Sequence, residues 1–178
     1  LSLHCYKDEK QMDHFLQGCI EKTEQIKDLS NKTFEYALVF EQDLLPKLET
    51  IQSDKFIQYF QENLEYLELE GFKVEKETDI CAVDLQLDLS MMKRMINNIC
   101  SNILKYAKKE SPVYLEISIK QGNLKIVFEN EKKKDIQQIE SNKIGLKSVK
   151  RIVEMHHGQF FVQDLKDTFT LIITLPYN

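Results

Sequence analysis

The stretch Arg94 to Tyr106 reads Arg-Met-Ile-Asn-Asn-Ile-Cys-Ser-Asn-Ile-Leu-Lys-Tyr, and three of its residues, Asn97, Asn98 and Asn102, are asparagines. Asparagine is a poor helix former because its amide competes for backbone hydrogen bonds, so the cluster asks for a reason. Asn98 and Asn102 stand four apart and Lys105 three further on, which puts all three on one face of a helix. Met95, Ile96, Ile99, Ile103 and Leu104 occupy the other faces and give the helix an apolar stripe. An amide oxygen is a hard ligand suited to Mg²⁺, and a neighbouring ammonium suits phosphate. A solvated helix face would show the same spacing, and spacing alone does not separate the two readings.

The rest of the composition narrows the field. A chain of 178 residues with 42% hydrophobic content has enough apolar surface for one domain plus a helical appendage. The net charge is -5 with both signs interspersed, which gives no clustered basic footprint for nucleic acid. Cys5, Cys19, Cys81 and Cys100 form no Cys-x-x-Cys pair and no cluster with the histidines, so reduced thiols in a cytosolic setting are expected. No apolar run reaches the roughly 20 residues needed to cross a bilayer, and no signal peptide is present. The first residue is Leu1 rather than Met, so the chain reads as a fragment.

The asparagine helix must be held by its neighbours. Over residues 10–41 there is no proline, and Met12, Phe15, Cys19, Ile26, Leu29, Tyr36 and Phe40 recur in steps of three and four, with Lys22 and Thr33 filling the gaps. That pattern predicts a long helix with a coiled-coil-like seam, to be packed in a hairpin or against a second subunit. Pro46 closes this region, and a boundary is expected there, dividing the chain into 1–43 and 44–178. Beyond it the pattern predicts a strand at 47–52, a helix from Ser53 or Asp54 to about 70 ended by Gly71, and strands at 72–76 and 82–88. Asp88 and Ser90 are good starting residues for the asparagine helix at 89–108. A hairpin over 113–120 and 124–130, turning at Gln121, Gly122 and Asn123, comes next. A polar loop at 131–143 with one helical turn near 136–139, a helix at 145–155 ended by Gly158, and strands at 159–164 and 168–175 complete the order. Helices separated by antiparallel hairpins belong on one face of a mixed sheet, which predicts an α/β fold, a two-layer sandwich preceded by a helical segment.

The asparagine segment resembles the N box of sensor histidine kinases, in the ATPase superfamily that also includes gyrase. Asp88, Arg94, Asn98, Asn102, Lys105 and Tyr106 stand in the usual relation. The resemblance implies that Asn102 coordinates the magnesium bridging the phosphates of ATP, that Asn98 supports the same ion, and that Lys105 and Tyr106 face phosphate and the nucleotide wall. A second stretch, Ile144 to Gly158, is similar to the G2 box and its helix. It implies that Gly145, followed by Leu146, lets backbone amides approach the phosphates at a helix N-terminus. Lys143 stands where the first glycine of that box is usual, and its ammonium is suited to phosphate.

The family's G1 box, Asp-x-Gly-x-Gly, is altered here. Asn130 takes the aspartate position, and Lys132 and Lys134 take the two glycines. An amide oxygen still accepts a hydrogen bond from the adenine amino group, but without charge, which implies a weaker contact. The run Lys132, Lys133, Lys134 is either a solvated basic loop or a clamp for the triphosphate. Thr170 aligns with a threonine of the last strands that helps hold adenine, and Thr174-Leu175-Pro176 is a typical ending.

None of His4, His14, His156 and His157 is followed by the family's phosphoacceptor sequence of acidic, apolar, basic, Thr or Asn, and Pro. No catalytic residue beyond the nucleotide site is therefore expected in this chain. His156 and His157 are expected at a helix end, and His4 and His14 on exposed helix. The long helix resembles the second helix of the dimerisation hairpin, with residues 1–6 as the tail of the first and the acceptor histidine upstream. The resemblance implies a protein-histidine kinase fragment using ATP and Mg²⁺. Its partners would be a response regulator and, through the N-terminal helices, a second copy. It would be the cytoplasmic part of a membrane-bound sensor and make no membrane contact itself. The alternatives are a regulatory pseudokinase that uses the dimer scaffold with weak or no ATP binding, motivated by Asn130, Lys132, Lys134 and Lys143, and a kinase acting on protein serine.

Overall fold

The computed structural model describes residues 9–40, 45–134 and 144–177. Residues 1–6, the helical turn expected at 136–139, and Lys143 lie outside the described residues. The order is α1 (Glu9–Phe40), β1 (Glu49–Gln52), α2 (Ser53–Leu69), β2 (Val74–Asp79), β3 (Asp84–Leu87), α3 (Leu89–Tyr106), β4 (Val113–Lys120), β5 (Asn123–Glu131), α4 (Ile144–Met155), β6 (Gln159–Asp164) and β7 (Thr168–Pro176). Strands β1 and β3 form a small antiparallel pair, and the main sheet runs β2-β4-β5-β7-β6. Among the described residues only the β2–β4 pairing is parallel, so the sheet is mixed, as expected.

Alternation along the strands sorts the two faces of the sheet. Val113, Leu115, Ile117 and Ile119 of β4, Leu124, Ile126 and Phe128 of β5, and Leu171, Ile173 and Leu175 of β7 all point into one buried cluster. Helix α2 adds Phe56, Phe60, Leu64 and Leu67, spaced to line one stripe, and the Phe60 and Phe128 rings stack at 6.2 Å between centroids. Truncating a buried Phe of this kind to Ala costs about 3–5 kcal/mol. Tyr114 and Phe161, of opposite parity, are exposed on the other face. The result is the two-layer α/β sandwich.

Local chemistry explains the element ends. Gln121 (φ 53) and Gly122 (φ 76) are both left-handed, the conformation a tight two-residue hairpin turn needs, so β5 begins at Asn123. Strand β2 begins later than expected and runs further. Phe72 still belongs to the end of α2, its N–H returning to the Leu67 carbonyl, and the charged edge Glu75-Lys76-Glu77 carries no apolar alternation to announce a strand. The left-handed residue that closes α4 after Met155 is His157, not Gly158. His157 takes the left-handed conformation (φ 58), with its N–H on Glu154 and that of Gly158 on Val153. Gly158 is instead a close-approach residue, because a Cβ there would meet the Thr174 carbonyl oxygen at 2.4 Å.

Helix α1 stands largely clear of the sandwich. The seam residues Met12, Phe15, Cys19, Ile26, Leu29 and Tyr36 are exposed. Contact with the rest of the chain is made with α4 and by Phe34, which is half-buried against the core, with Ala37 half-buried one turn on.

Candidate nucleotide site

The asparagine helix is fixed at its start by one carboxylate. Asp88 Oδ1 accepts from the Met91 N–H at 3.1 Å and from the Ser90 hydroxyl at 2.6 Å, while Oδ2 accepts from the Lys47 N–H at 2.8 Å. The first bond is a helix N-cap, and the last ties the segment after α1 to the site. Burial opposes ionisation of Asp88, but the bonds from Ser90, Lys47 and Met91 outweigh it and hold the carboxyl below its usual value. His156, at the far end of α4, accepts the Asp88 N–H on Nε2 at 2.9 Å. Its Nδ1 lies 2.7 Å from the Ile152 carbonyl, so the ring is neutral with its proton on Nδ1. Burial pushes the His156 pKa down, against the opposing effects of the Ile152 carbonyl and Asp88. The two helices that carry the site are thereby joined end to end by one imidazole.

Along α3, Met91, Met92, Met95, Ile96, Ile99, Cys100 and Ile103 are buried, which turns Asn98, Asn102 and Lys105 away from the sheet. Burial pushes the Cys100 thiol up to about 12, so it is inert filling. Asn98 and Asn102 are half-buried, and the Nδ2 atom of each is buried without a hydrogen-bond partner. A buried amide left unsatisfied costs roughly 1–3 kcal/mol, which a polar ligand would offset. The start of α4 faces this ridge: a Cβ on Gly145 would lie 3.9 Å from the Asn98 side-chain carbon. Leu146 follows it, half-buried. Amide N–H groups and the N-terminus of a helix therefore converge, and that set of hydrogen-bond donors fits the oxygens of a phosphate group, while the amide oxygens are the atoms that would face a metal.

Lys105 is exposed and Tyr106 half-buried, and both are engaged through their backbones. The Lys133 ammonium caps the C-terminus of α3, 3.0 Å from the carbonyls of Leu104 and of Lys105, and its N–H bonds to the Tyr106 carbonyl. Lys132 pairs with Asp164 at 2.7 Å. Two of the three lysines considered for a triphosphate clamp thus hold the fold together, and only Lys134 of the run is exposed.

Asn130 is 5% exposed and faces the helices from the end of β5. Its Nδ2 donates to the Glu131 carbonyl at 3.0 Å, so the amide oxygen is the atom that could accept a further hydrogen bond. Thr170 is not brought beside it. It pairs with Glu129, gives its hydroxyl to the Glu129 carboxylate at 3.1 Å, and so lies on the opposite face of the sheet. The inward partner of Asn130 is Phe169, packed against the core. Parity with Leu171, Ile173 and Leu175 was the sequence signal for this placement.

A cavity of about 420 Å³ opens elsewhere, among Ser118, Lys125, His157, Gln159 and Thr174. Asn123, at its rim, is the first residue of β5, and Asn130 is seven residues on, about 24 Å along the strand at 3.4 Å per residue. The cavity is therefore separate from the asparagine ridge. His14 is exposed on α1. What sequence reasoning did not find is the contact of α1 with this site: the Arg94 guanidinium, one turn before Asn98, lies 3.5 Å from the centroid of the Phe34 ring.

No protein-family profile matches the chain. The sensor histidine kinase YrkQ of Bacillus subtilis is 27% identical over 149 residues, which cover 83% of this chain and 34% of YrkQ. The chain thus spans about a third of the length of that relative. Among solved structures, the Acinetobacter baumannii histidine kinase AdeS superposes with a TM-score of 0.66 at 18% identity, covering 96% of this chain and 86% of that one. The catalytic domain of histidine kinase ThkA superposes with a TM-score of 0.59 at 13% identity, covering 72% of this chain and 95% of that domain. Over 83% of its length the chain is similar to a sensor histidine kinase, and its fold is that of histidine kinase catalytic domains.

Proposed function

We propose that this chain is the ATP-binding, phosphoryl-donating part of a protein-histidine kinase, with 1–43 a partial dimerisation hairpin and 44–178 the nucleotide domain. The observation that carries the reading is the pair of buried, unpartnered amide nitrogens on Asn98 and Asn102 beside the start of α4. Asn102 and Asn98 would hold Mg²⁺, with Lys105, Tyr106, Lys143 and the backbone at Gly145 and Leu146 around the phosphates and Asn130 at the base. Held there, the metal would supply charge neutralisation on the phosphoryl group, and the protein's part would be positioning and electrostatic stabilisation. The γ-phosphate would pass to a histidine upstream of this chain and then to a response regulator. The exposed seam of α1 supports pairing with a second copy. No helix among the described residues is long and apolar enough to cross a membrane, and a cytoplasmic position within a membrane-bound sensor is part of the proposal.

Calorimetric titration of the purified chain with a non-hydrolysable ATP analogue and Mg²⁺ tests this. Saturable heat is expected, with no label entering His4 or His14 from radiolabelled ATP. A second reading, a pseudokinase scaffold, is favoured by Asn130 in place of a carboxylate and by the engaged Lys132 and Lys133. An absence of heat would select it.

A further inference from the structure

Among the described residues, three buried side-chain atoms have no hydrogen-bond partner: Nδ2 of Asn98, Nδ2 of Asn102 and Oγ of Ser148. The two amides belong to the ridge of α3, whereas Ser148 stands on α4 among Val149, Ile152 and Val153 and is 0% exposed. A serine or threonine inside a helix can return its hydroxyl to the carbonyl four residues back, as Thr23 does to Cys19 and Thr33 to Leu29 on α1. Ser148 makes no such bond to Ile144. The other buried serines, Ser53, Ser111 and Ser118, all have partners. Two contacts fix where this hydroxyl lies. Gly145 faces Asn98 at one end of the α3–α4 packing, and His156 receives the Asp88 N–H at the other. Asp88 and Asn98 are ten positions apart and Gly145 and His156 eleven, so the two helices run antiparallel in nearly matched register. Ser148 follows Gly145 by three residues on the same face, and helical side chains lean toward the N-terminus of their own helix. That lean carries the Ser148 hydroxyl back toward the level of Asn98.

We propose that Ser148 is a positioning residue for the metal half of the site: when nucleotide and metal draw the Asn98 amide oxygen toward them, the Ser148 hydroxyl accepts one N–H of the same amide and locks it in that orientation. The inference rests on the proposed nucleotide site. The two groups are chemically complementary. An amide NH₂ carries two donors and a hydroxyl oxygen accepts, so one N–H goes to Ser148 and the other remains for a phosphate oxygen. Turning the amide costs little, because the terminal torsion of asparagine is broad. In the nucleotide-free chain nothing sets that torsion, and both atoms stay unpaired. With ligand the bond forms, so its worth goes into affinity and not into the stability of the nucleotide-free chain. An apolar residue at position 148 would fill the same space and leave Asn98 without a stop.

Calorimetric titration with a non-hydrolysable ATP analogue, with and without Mg²⁺, is run on the wild-type chain, Ser148→Ala, Ser148→Cys, Asn98→Ala and the Asn98→Ala/Ser148→Ala double variant, with a thermal melt of each nucleotide-free protein. A neutral hydrogen bond formed on binding corresponds to about 2- to 10-fold in affinity, so Ser148→Ala should lose that much with Mg²⁺ present and bind as the wild type without it. Ser148→Cys keeps the volume but accepts a hydrogen bond poorly, and should follow the alanine variant. In the Asn98→Ala background the serine change should cost nothing further. Ser148→Ala should melt at or above the wild type, since its Oγ gives up no bond in the nucleotide-free chain. Wild-type affinity in Ser148→Ala, full recovery in Ser148→Cys, an equal loss with and without metal, or a loss that adds to that of Asn98→Ala overturns the inference and leaves the nucleotide site standing. A fall of more than about 3 °C in the Ser148→Ala melt does the same, because it would mean a hydrogen bond already made without ligand. No binding by the wild type overturns both.

Discussion

Replacing Asp88 by Ala should be costly, because one buried carboxylate serves three donors, two at the start of α3 and one in the segment after α1. Its Oδ1 caps α3 through the Met91 N–H and receives the Ser90 hydroxyl, and its Oδ2 holds the Lys47 N–H. A lost N-cap costs about 1 kcal/mol, and a backbone N–H deprived of a charged acceptor about 1.5–3 kcal/mol. Ser90 can turn to water, which keeps the total at about 2–4 kcal/mol. For a domain of this size each kcal/mol moves the melting temperature by about 2–4 °C, so a fall of about 5–15 °C is expected in calorimetric or circular-dichroism melts. Asp88→Asn is the informative companion. Its remaining carbonyl oxygen preserves the cap, but its NH₂ meets the Lys47 N–H donor to donor, so about half the loss is expected. A fall under about 2 °C for the alanine variant, or equal losses for the two, would refute the account of this junction.

His156 sets the acid side of stability. Folded, it sheds its proton more readily than the ordinary histidine value of 6.5, so the unfolded chain binds more protons just below that pH. Its contribution is whole above about pH 6.5 and is lost as pH falls through the folded value; Asp88, with its pKa lowered, keeps its own contribution down to about 3.8 and loses it below. Denaturant melts at pH 7.5 and 5.5 should show a drop in the wild type that His156→Gln lacks, and a pH-independent wild type would contradict this. Gly158→Ala drives a Cβ to 2.4 Å from the Thr174 carbonyl oxygen and should destabilise the chain by roughly 2–4 kcal/mol, read as a lower denaturant midpoint. Asn130→Asp restores a charged acceptor at the base and should tighten binding of the ATP analogue about 10-fold in calorimetry, with little change for a guanine nucleotide.

The sequence made the sandwich legible wherever burial and turn chemistry spoke together. Helix α3 and strands β4, β6 and β7 lie within two residues of where apolar period and capping put them. Strand β2 was less legible because its stabilisation comes from pairing at a charged edge, not from an apolar face. In the site, the amide ridge followed from helical spacing, and the structure adds that Gly145 lies beside Asn98, a proximity between two separate motifs that spacing within neither one gives. The base end was harder: Thr170 sits on the wrong parity of β7, a fact contained in the alternation of Leu171, Ile173 and Leu175 but overridden by motif alignment. Three contacts had no local signature. Lys133 as cap of α3, His156 on Asp88 and Arg94 on Phe34 all join residues between 28 and 68 positions apart, and only the folded chain brings them together.

The central claim is that Asn102 and Asn98 form the metal half of a nucleotide site, and metal linkage tests it most directly. Affinity for a non-hydrolysable ATP analogue is measured with and without Mg²⁺ on the wild type and on Asn102→Ala. The account predicts that the metal tightens binding to the wild type at least about 10-fold, the range for a charge-assisted ligand contact, and that the variant shows no metal dependence while melting within a few degrees of the wild type. Equal metal dependence in both proteins would contradict it.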